Sequence, residues 1–232
     1  MIMKKNSYKL QHIFIIPDGH RRYSEKTGVN LGRAYLKAAA TLRKCIKWTL
    51  LDNEIDEFSF FSFSHSNLMK REKKNLSFIY SAIEDVLQRL IENRFLCDNE
   101  IKFRAVGEKR RWPEKIDELV SRLETDTENF YKKRFNLLFC YSGIKDLEMA
   151  IKKTTKRREK LEYENLLRNS DVPKPIDFIV RSANEKRISD GPLLPIRYAE
   201  FGYTRRLFPE LRKKDIDSLV AEFLNRRRTY GG

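Results

Sequence analysis

The sequence predicts an α/β domain built on a central, mostly parallel β-sheet flanked by helices. Three observations carry this. Short β-branched or aromatic runs alternate with longer segments of helical apolar spacing along the whole chain. Two of the runs stop abruptly at turn residues, Pro17-Asp18-Gly19 and Gly107. No repeat and no linker rich in Gly, Pro or Ser divides the 232 residues, so one domain over 1–232 is expected.

The elements follow in order. Ile13-Phe14-Ile15-Ile16 reads as a buried strand running into the Pro17-Asp18-Gly19 loop. From about 32 to 51, Leu36, Ala39, Ala40, Leu42, Cys45, Ile46 and Leu50 recur at helical spacing. Residues 58–63 form an aromatic-rich strand, and 76–95 a helix with Ile79, Ile83, Val86, Leu87 and Leu90 on one face. Residues 101–106 are a strand ended by Gly107, and Trp112-Pro113 open a helix reaching about 132. A strand at 135–141 and one helix at 147–167 come next, with the charged stretch 152–160 solvated. A strand at 176–180 and an amphipathic helix marked by Ile216, Leu219, Val220, Phe223 and Leu224 complete the chain.

The net charge of +15 admits nucleic acid, a negative membrane surface or phosphorylated substrates as partners. Solvated helix faces absorb part of the excess. The basic clusters, such as Lys109-Arg110-Arg111 and Arg212-Lys213-Lys214, are not interleaved with aromatics, and no nucleic-acid-binding pattern occurs. No nucleic-acid partner is therefore expected; peripheral membrane contact and phosphorylated substrates remain. Cys45, Cys97 and Cys140 lie far apart and only three histidines are present, which argues against zinc. With no apolar run of about eighteen residues and no signal-peptide core, a reducing cytoplasm is the expected location.

Two segments carry the chemistry. The first is Asp18-Gly19-His20-Arg21-Arg22-Tyr23, directly after a strand. Gly19 lets an anion approach the backbone, and arginines suit bidentate phosphate contact. Asp18 would repel a bare phosphate and makes sense with a hard cation such as Mg²⁺ between them. The second is Arg181-Ser182-Ala183-Asn184-Glu185-Lys186-Arg187-Ile188-Ser189, again after a strand, with Glu200 further on. In parallel sheets ligands bind beyond the carboxyl ends of the strands, where both segments fall.

These segments make the chain similar to the cis-prenyltransferases, the undecaprenyl diphosphate synthase-like family. Asp18-Gly19-His20-Arg21-Arg22-Tyr23 resembles the family's first motif, Phe63-Ser64-His65-Ser66-Asn67 its Phe-Ser-x-x-Asn element, and Tyr141-Ser142-Gly143 its Tyr-Gly-Gly strand end. The late arginine segment, Tyr198-Ala199-Glu200, Phe208-Pro209 and Gly231-Gly232 follow in family order. The resemblance implies a Mg²⁺-dependent homodimer with the family's fold. It would join an allylic diphosphate to a second isoprenoid diphosphate, releasing pyrophosphate. It implies that Gly19, His20, Arg21 and Arg22 hold the allylic diphosphate and that Arg181, Arg187 and Ser189 hold the second. It also implies that Asp18 and Glu200 bind Mg²⁺ and that Ser64 and Asn67 lie near the reacting carbons.

The chain departs from the pattern around the allylic side. His20 replaces Asn, Leu31 and Tyr35 stand at the positions of an Arg and a His, and Ser66 and Leu68 replace Glu and Trp. Lys70 or Arg71 is the nearest counterpart of a following arginine, Cys140 replaces Asn, and Thr229 replaces Arg. Altered substrate choice is expected: regular condensation to a short product, or irregular condensation of two dimethylallyl diphosphates as in lavandulyl-type synthases. A non-catalytic partner subunit is the third reading. Tyr35 joins the substrate-binding set, and His20 and His65 become the proton handlers. Phe58, Phe60, Phe61 and Phe63 would shorten the product tunnel if alternate members enter it.

Overall fold

The computed structural model describes residues 9–70 and 72–226. Its elements run β1 (His12–Ile16), α1 (His20–Thr27), α2 (Leu31–Lys47), β2 (Glu57–Ser64), α3 (His65–Lys70), α4 (Lys73–Glu92), α5 (Phe95–Asp98), β3 (Ile101–Val106), α6 (Glu114–Asp126), β4 (Lys133–Tyr141), α7 (Gly143–Lys156), α8 (Tyr163–Asn169), β5 (Phe178–Arg181), β6 (Glu200–Tyr203) and α9 (Lys213–Asn225). The six strands form one sheet in the order β3-β4-β2-β1-β5-β6, and every pairing is parallel. The α/β expectation holds in its strict form.

Parallel strands buried on both faces read as continuous apolar runs, and β1 is buried at all five positions. Ile13 and Ile15 join the larger core, with Leu42 of α2, Val86 of α4, Val120 of α6 and Phe223 of α9. Phe14 and Ile16 face a smaller core with Phe61, Leu138 and Ile179. Along β2 the alternation breaks: Phe58 and Phe60 belong to the larger core, Phe61 to the smaller and Phe63 again to the larger. The register of β2 on β4 shifts between Phe61 and Phe63 and again between Phe63 and Ser64, so a bulge at Ser62 reverses the parity. Among the described residues, no helix is long and apolar enough to cross a membrane.

The single helix expected over 147–167 is two. The first ends at Lys156, Arg158 takes a left-handed φ of 56°, and α8 turns back. Asn169, 4% exposed, holds the corner: its Nδ2 donates to Thr154 Oγ1 (3.0 Å) and Glu159 Oε2 (2.9 Å), and its Oδ1 accepts from Arg157 (2.6 Å). Four elements were not foreseen. α1 has no buried residue, α3 is six residues long, α5 is four residues long, and β6 is four residues long with Gly202 inside it.

A buried polar cluster ties the amino ends of the strands. The His12 Nδ1–H donates to the Pro175 carbonyl (3.0 Å), and Nε2 accepts from the Ser59 hydroxyl (2.8 Å), the tautomer that satisfies both. Asn136 Nδ2 donates to Glu57 Oε1 (2.7 Å) and Ser59 Oγ (3.0 Å). Burial pushes the His12 imidazole below its usual value of 6.5, against the pull of Glu57 and Asp177. As pH falls through 6.5 the unfolded chain takes up a proton that the folded chain does not, so stability declines below that pH. The slope reaches up to about 1.4 kcal/mol per pH unit. Thermal unfolding from about pH 7.5 to about pH 5.5 should therefore lower the wild-type melting temperature faster than that of His12→Gln. Parallel curves would contradict this.

Candidate active site

Strand register brings the two segments together. β1 and β5 are neighbours, with Ile16 opposite Arg181, so Asp18 and Arg181 emerge side by side at the carboxyl edge. Arg181 is 3% exposed. Its Nε donates to Asp18 Oδ2 (2.8 Å), and its Nη1 donates to Ser189 Oγ (3.1 Å) and to the Arg187 carbonyl. Ser182 Oγ accepts from the Asp18 N–H (2.7 Å) and donates to the Asp18 carbonyl (3.1 Å). Burial pushes the Asp18 carboxyl above its usual range, against the opposing pull of Arg181.

A second link lies further out. Arg22 on α1 donates to the Ala183 carbonyl (3.0 Å) and to Glu185 Oε1 (2.9 Å), while Arg187 pairs with the other Glu185 oxygen. Glu185 thus holds one arginine from each segment, and the hydrogen bond from Arg187 lowers its carboxyl below the usual range. Sequence reasoning missed this role; the signal for it was a carboxylate set between Arg181 and Arg187. Ala183, Asn184 and Ser189 take left-handed φ values of 61°, 57° and 54°, a cluster of backbone strain of the kind held at functional sites.

Some of these residues wall a polar chamber; Gly19, Arg22 and Glu185 do not line it. Asp18, His20, Ser64, Asn67, Arg181, Arg187 and Ser189 line it. The bulge at Ser62 lets four successive residues, Phe61 to Ser64, face the same space. Ser64 Oγ accepts the backbone N–H of Asn67 at 3.0 Å, capping α3 and orienting the Ser64 hydroxyl. The chamber continues into an apolar channel between α2 and α4, lined by Ala38, Ala39, Leu42, Ala82, Ile83 and Val86. Pro17, His20, Tyr35, Ser62 and Ile79 line both, so the two spaces join. His20 stacks on Tyr35 at that junction, ring centroids 4.8 Å apart.

Of the expected site residues, Arg21 is exposed on α1 and does not line the chamber. His65 is drawn elsewhere: its Nε2 lies 2.9 Å from Lys145 Nζ and 3.1 Å from Glu108 Oε2, and it does not line the chamber. The hydrogen bond from Lys145 holds Glu108 down to about 2, so His65 faces a fixed ion pair and not the reacting space. Glu200 is not brought to Asp18. It pairs with Phe178, which is level with Ile13, at the amino end of the sheet. That places it about 10 Å along the strands from the edge that delivers Asp18. Its carboxylate engages Arg226 at 2.9 Å. Among the described residues no group of three or more His, Cys, Asp or Glu could hold a metal ion. Of the four strand phenylalanines, Phe60 lines the channel, Phe61 and Phe63 line the chamber, and Phe58 stacks on Phe135 in the core. Arg71, Thr229 and Gly231-Gly232 lie outside the described residues.

The family model described as "Putative undecaprenyl diphosphate synthase" matches residues 16–231. A tritrans,polycis-undecaprenyl-diphosphate synthase (geranylgeranyl-diphosphate specific) from Pyrobaculum aerophilum is 31% identical over 227 residues, covering 95% of each chain. The structure of a probable undecaprenyl diphosphate synthase from Campylobacter jejuni superposes with a TM-score of 0.83 at 28% identity, covering 97% of this chain and 100% of that one. Lavandulyl diphosphate synthase from Lavandula x intermedia, solved with dimethylallyl diphosphate, gives a TM-score of 0.88 over 96% and 98% of the chains. At 24% identity that likeness concerns the fold alone.

The turn after β1 depends on Gly19, whose φ is 99° and whose added Cβ would lie 2.7 Å from Leu207 Cδ2. The leucine tip can move aside; the backbone conformation has no such escape. Gly19→Ala should lower stability by about 1–3 kcal/mol in urea unfolding. An unchanged midpoint would contradict the role given to this turn.

Proposed function

The chain belongs to the undecaprenyl diphosphate synthase family, and from that premise we infer how its own residues carry out the reaction. It is a prenyltransferase that condenses an allylic prenyl diphosphate with a second isoprenoid diphosphate and releases pyrophosphate. The carrying observation is the join between a polar chamber and an apolar channel. A prenyl diphosphate has the same two-part character.

In this reading Gly19, His20, Arg21 and Arg22 take the allylic diphosphate at the start of α1, where the first amides have no acceptor within the helix. The prenyl tail lies past the His20–Tyr35 stack into the channel. Arg181, Arg187 and Ser189 take the diphosphate of isopentenyl diphosphate, and Ser64 and Asn67 orient its alkene. Asp18 would hold Mg²⁺, a hard cation suited to a carboxylate beside substrate phosphates. When bound, the ion would supply charge neutralisation for the departing pyrophosphate. The guanidinium groups neutralise charge on the departing pyrophosphate as well. With His65 drawn away, His20 is the histidine that lines the chamber, and in this reading its imidazole accepts the proton lost from the acceptor. A homodimer in a reducing cytoplasm completes the proposal; Cys45, Cys97 and Cys140 all stand as free thiols.

The channel favours a short product. Its walls run from Tyr35 to Leu42 on α2 and from Ile79 to Val86 on α4. Seven residues of helix span about 10 Å. An extended isoprene unit of four chain carbons takes about 5 Å at C–C bonds of ~1.5 Å, so roughly two units fit.

Purified protein with Mg²⁺ should form product from isopentenyl diphosphate plus an allylic primer, and none from dimethylallyl diphosphate alone. Product from dimethylallyl diphosphate alone would overturn the regular condensation and favour the irregular one. Asp18→Ala should reduce turnover by about a hundredfold or more while the circular dichroism spectrum is kept; retained activity would refute its place at the diphosphate. Phe60→Ala and Val86→Ala should each shift the product toward longer chains on thin-layer analysis. An unchanged chain length would refute the channel as the limit.

A further inference from the structure

We propose that Asp190 is a positioning residue that locks the loop bearing Arg187 and Ser189 to the segment bearing Ser64 and Asn67, and so sets affinity for the acceptor diphosphate. The proposal rests on the assignment of Arg187 and Ser189 to that diphosphate.

The chain between β5 and β6 has no regular secondary structure. Arg187 and Ser189 are exposed on it, and Ser189 is held at a left-handed φ of 54°. Such a loop needs a tether to present two ligands at a fixed spacing. Asp190 supplies one at the adjacent residue. Its Oδ2 accepts from Ser66 Oγ (3.0 Å), in the first turn of α3 beside Asn67, and its Oδ1 accepts from Ser142 Oγ (2.8 Å), at the cap of α7. Its carbonyl accepts the Gly143 N–H at 3.1 Å. The next residue, Gly191, comes so close that a Cβ on Gly143 would stand 2.0 Å from the Gly191 oxygen. One carboxylate therefore joins three places: the loop, the β2–α3 junction and the β4–α7 junction. Asp190 does not line the chamber, so its effect on substrate runs through the residues it holds. Arg181 grips the same stretch of the loop from the sheet side through Ser189 Oγ and the Arg187 carbonyl. Between these two anchors the acceptor ligands have little freedom.

The test compares wild type, Asp190→Ala, Asp190→Asn and the double variant Ser66→Ala/Ser142→Ala. Isopentenyl diphosphate is titrated calorimetrically with Mg²⁺, and KM is measured for acceptor and primer. Asp190→Ala should raise both Kd and KM for isopentenyl diphosphate about tenfold, with the primer KM within about twofold of wild type. Asp190→Asn should recover most of the loss, since an amide can accept from Ser142 and donate to Ser66 Oγ. The double serine variant should reproduce Asp190→Ala, and it carries the test if Asp190→Ala fails to fold. An unchanged acceptor Kd, an equal rise in both KM values, or no rescue by asparagine would overturn the proposal. A wild type that turns over no substrate pair, yet loses isopentenyl diphosphate affinity on Asp190→Ala, would sink the functional reading and leave this proposal standing. A wild type that binds no isopentenyl diphosphate would overturn both.

Discussion

The guanidinium of Arg181 is the interaction on which the rest of the site depends. A charged group at 3% exposure is tolerated only when paired and hydrogen-bonded, and leaving it unpaired costs several kcal/mol. Its acceptors come from both halves of the site: Asp18 after β1, and the Arg187 carbonyl and Ser189 hydroxyl after β5. One buried cation thereby fixes the spacing between an early loop and a late loop 163 residues away. The parallel pairing of Ile16 with Arg181 makes this contact available, and a one-residue slip would turn Arg181 to the other face.

The same constraint orders the electrostatics. Arg22 and Arg187 are not free charges awaiting a substrate; Glu185 already holds both. A diphosphate entering the chamber must compete with that carboxylate, or bind above it while keeping the arginines aligned. The arrangement keeps the cations in place in a site whose ligands are themselves strongly charged. Arg187 among these cations acts on Asp18, where the proposed cation would sit. At its inner side the chamber loses polarity within a few residues, since α2 presents Ala38 and Ala39 and α4 presents Ala82 to the channel. Small side chains on facing helices make the space, and the stacked His20 and Tyr35 mark the change from charge to hydrocarbon.

Much of this was legible in the sequence where one physical cause dominates. The apolar run at 13–16 became a strand buried on both faces, and 101–106 became one whose alternation leaves Lys102 and Arg104 half-buried between buried apolar neighbours. Asp18 and Arg181 were legible because a charged side chain at the end of a buried strand is costly without a partner or a ligand. Arg187 and Ser189 followed from their short spacing to Arg181 on one loop. The misses have specific causes. α1 carries no buried residue and so no apolar periodicity, and β6 is too short and holds a glycine. The break after Lys156 depends on Asn169 reaching back to Thr154, which periodicity does not report. Glu200 was placed with Asp18 by motif order, but strand register decides which end of the sheet a residue occupies. His65 was weighed by its neighbours in sequence, while Glu108 and Lys145 come from beyond the ends of β3 and β4. The Ser62 bulge reverses the facing of Phe63, and no alternation rule foresees it.

The central claim is that Asp18 and Arg181 act as one unit across the two loops. A double-mutant cycle of Asp18→Asn and Arg181→Lys, read as isopentenyl diphosphate affinity by calorimetry, tests it most directly. The account predicts a coupling of about 1 kcal/mol or more, because each substitution breaks the same contact. Effects that add to within about 0.5 kcal/mol would show two independent sites and contradict it.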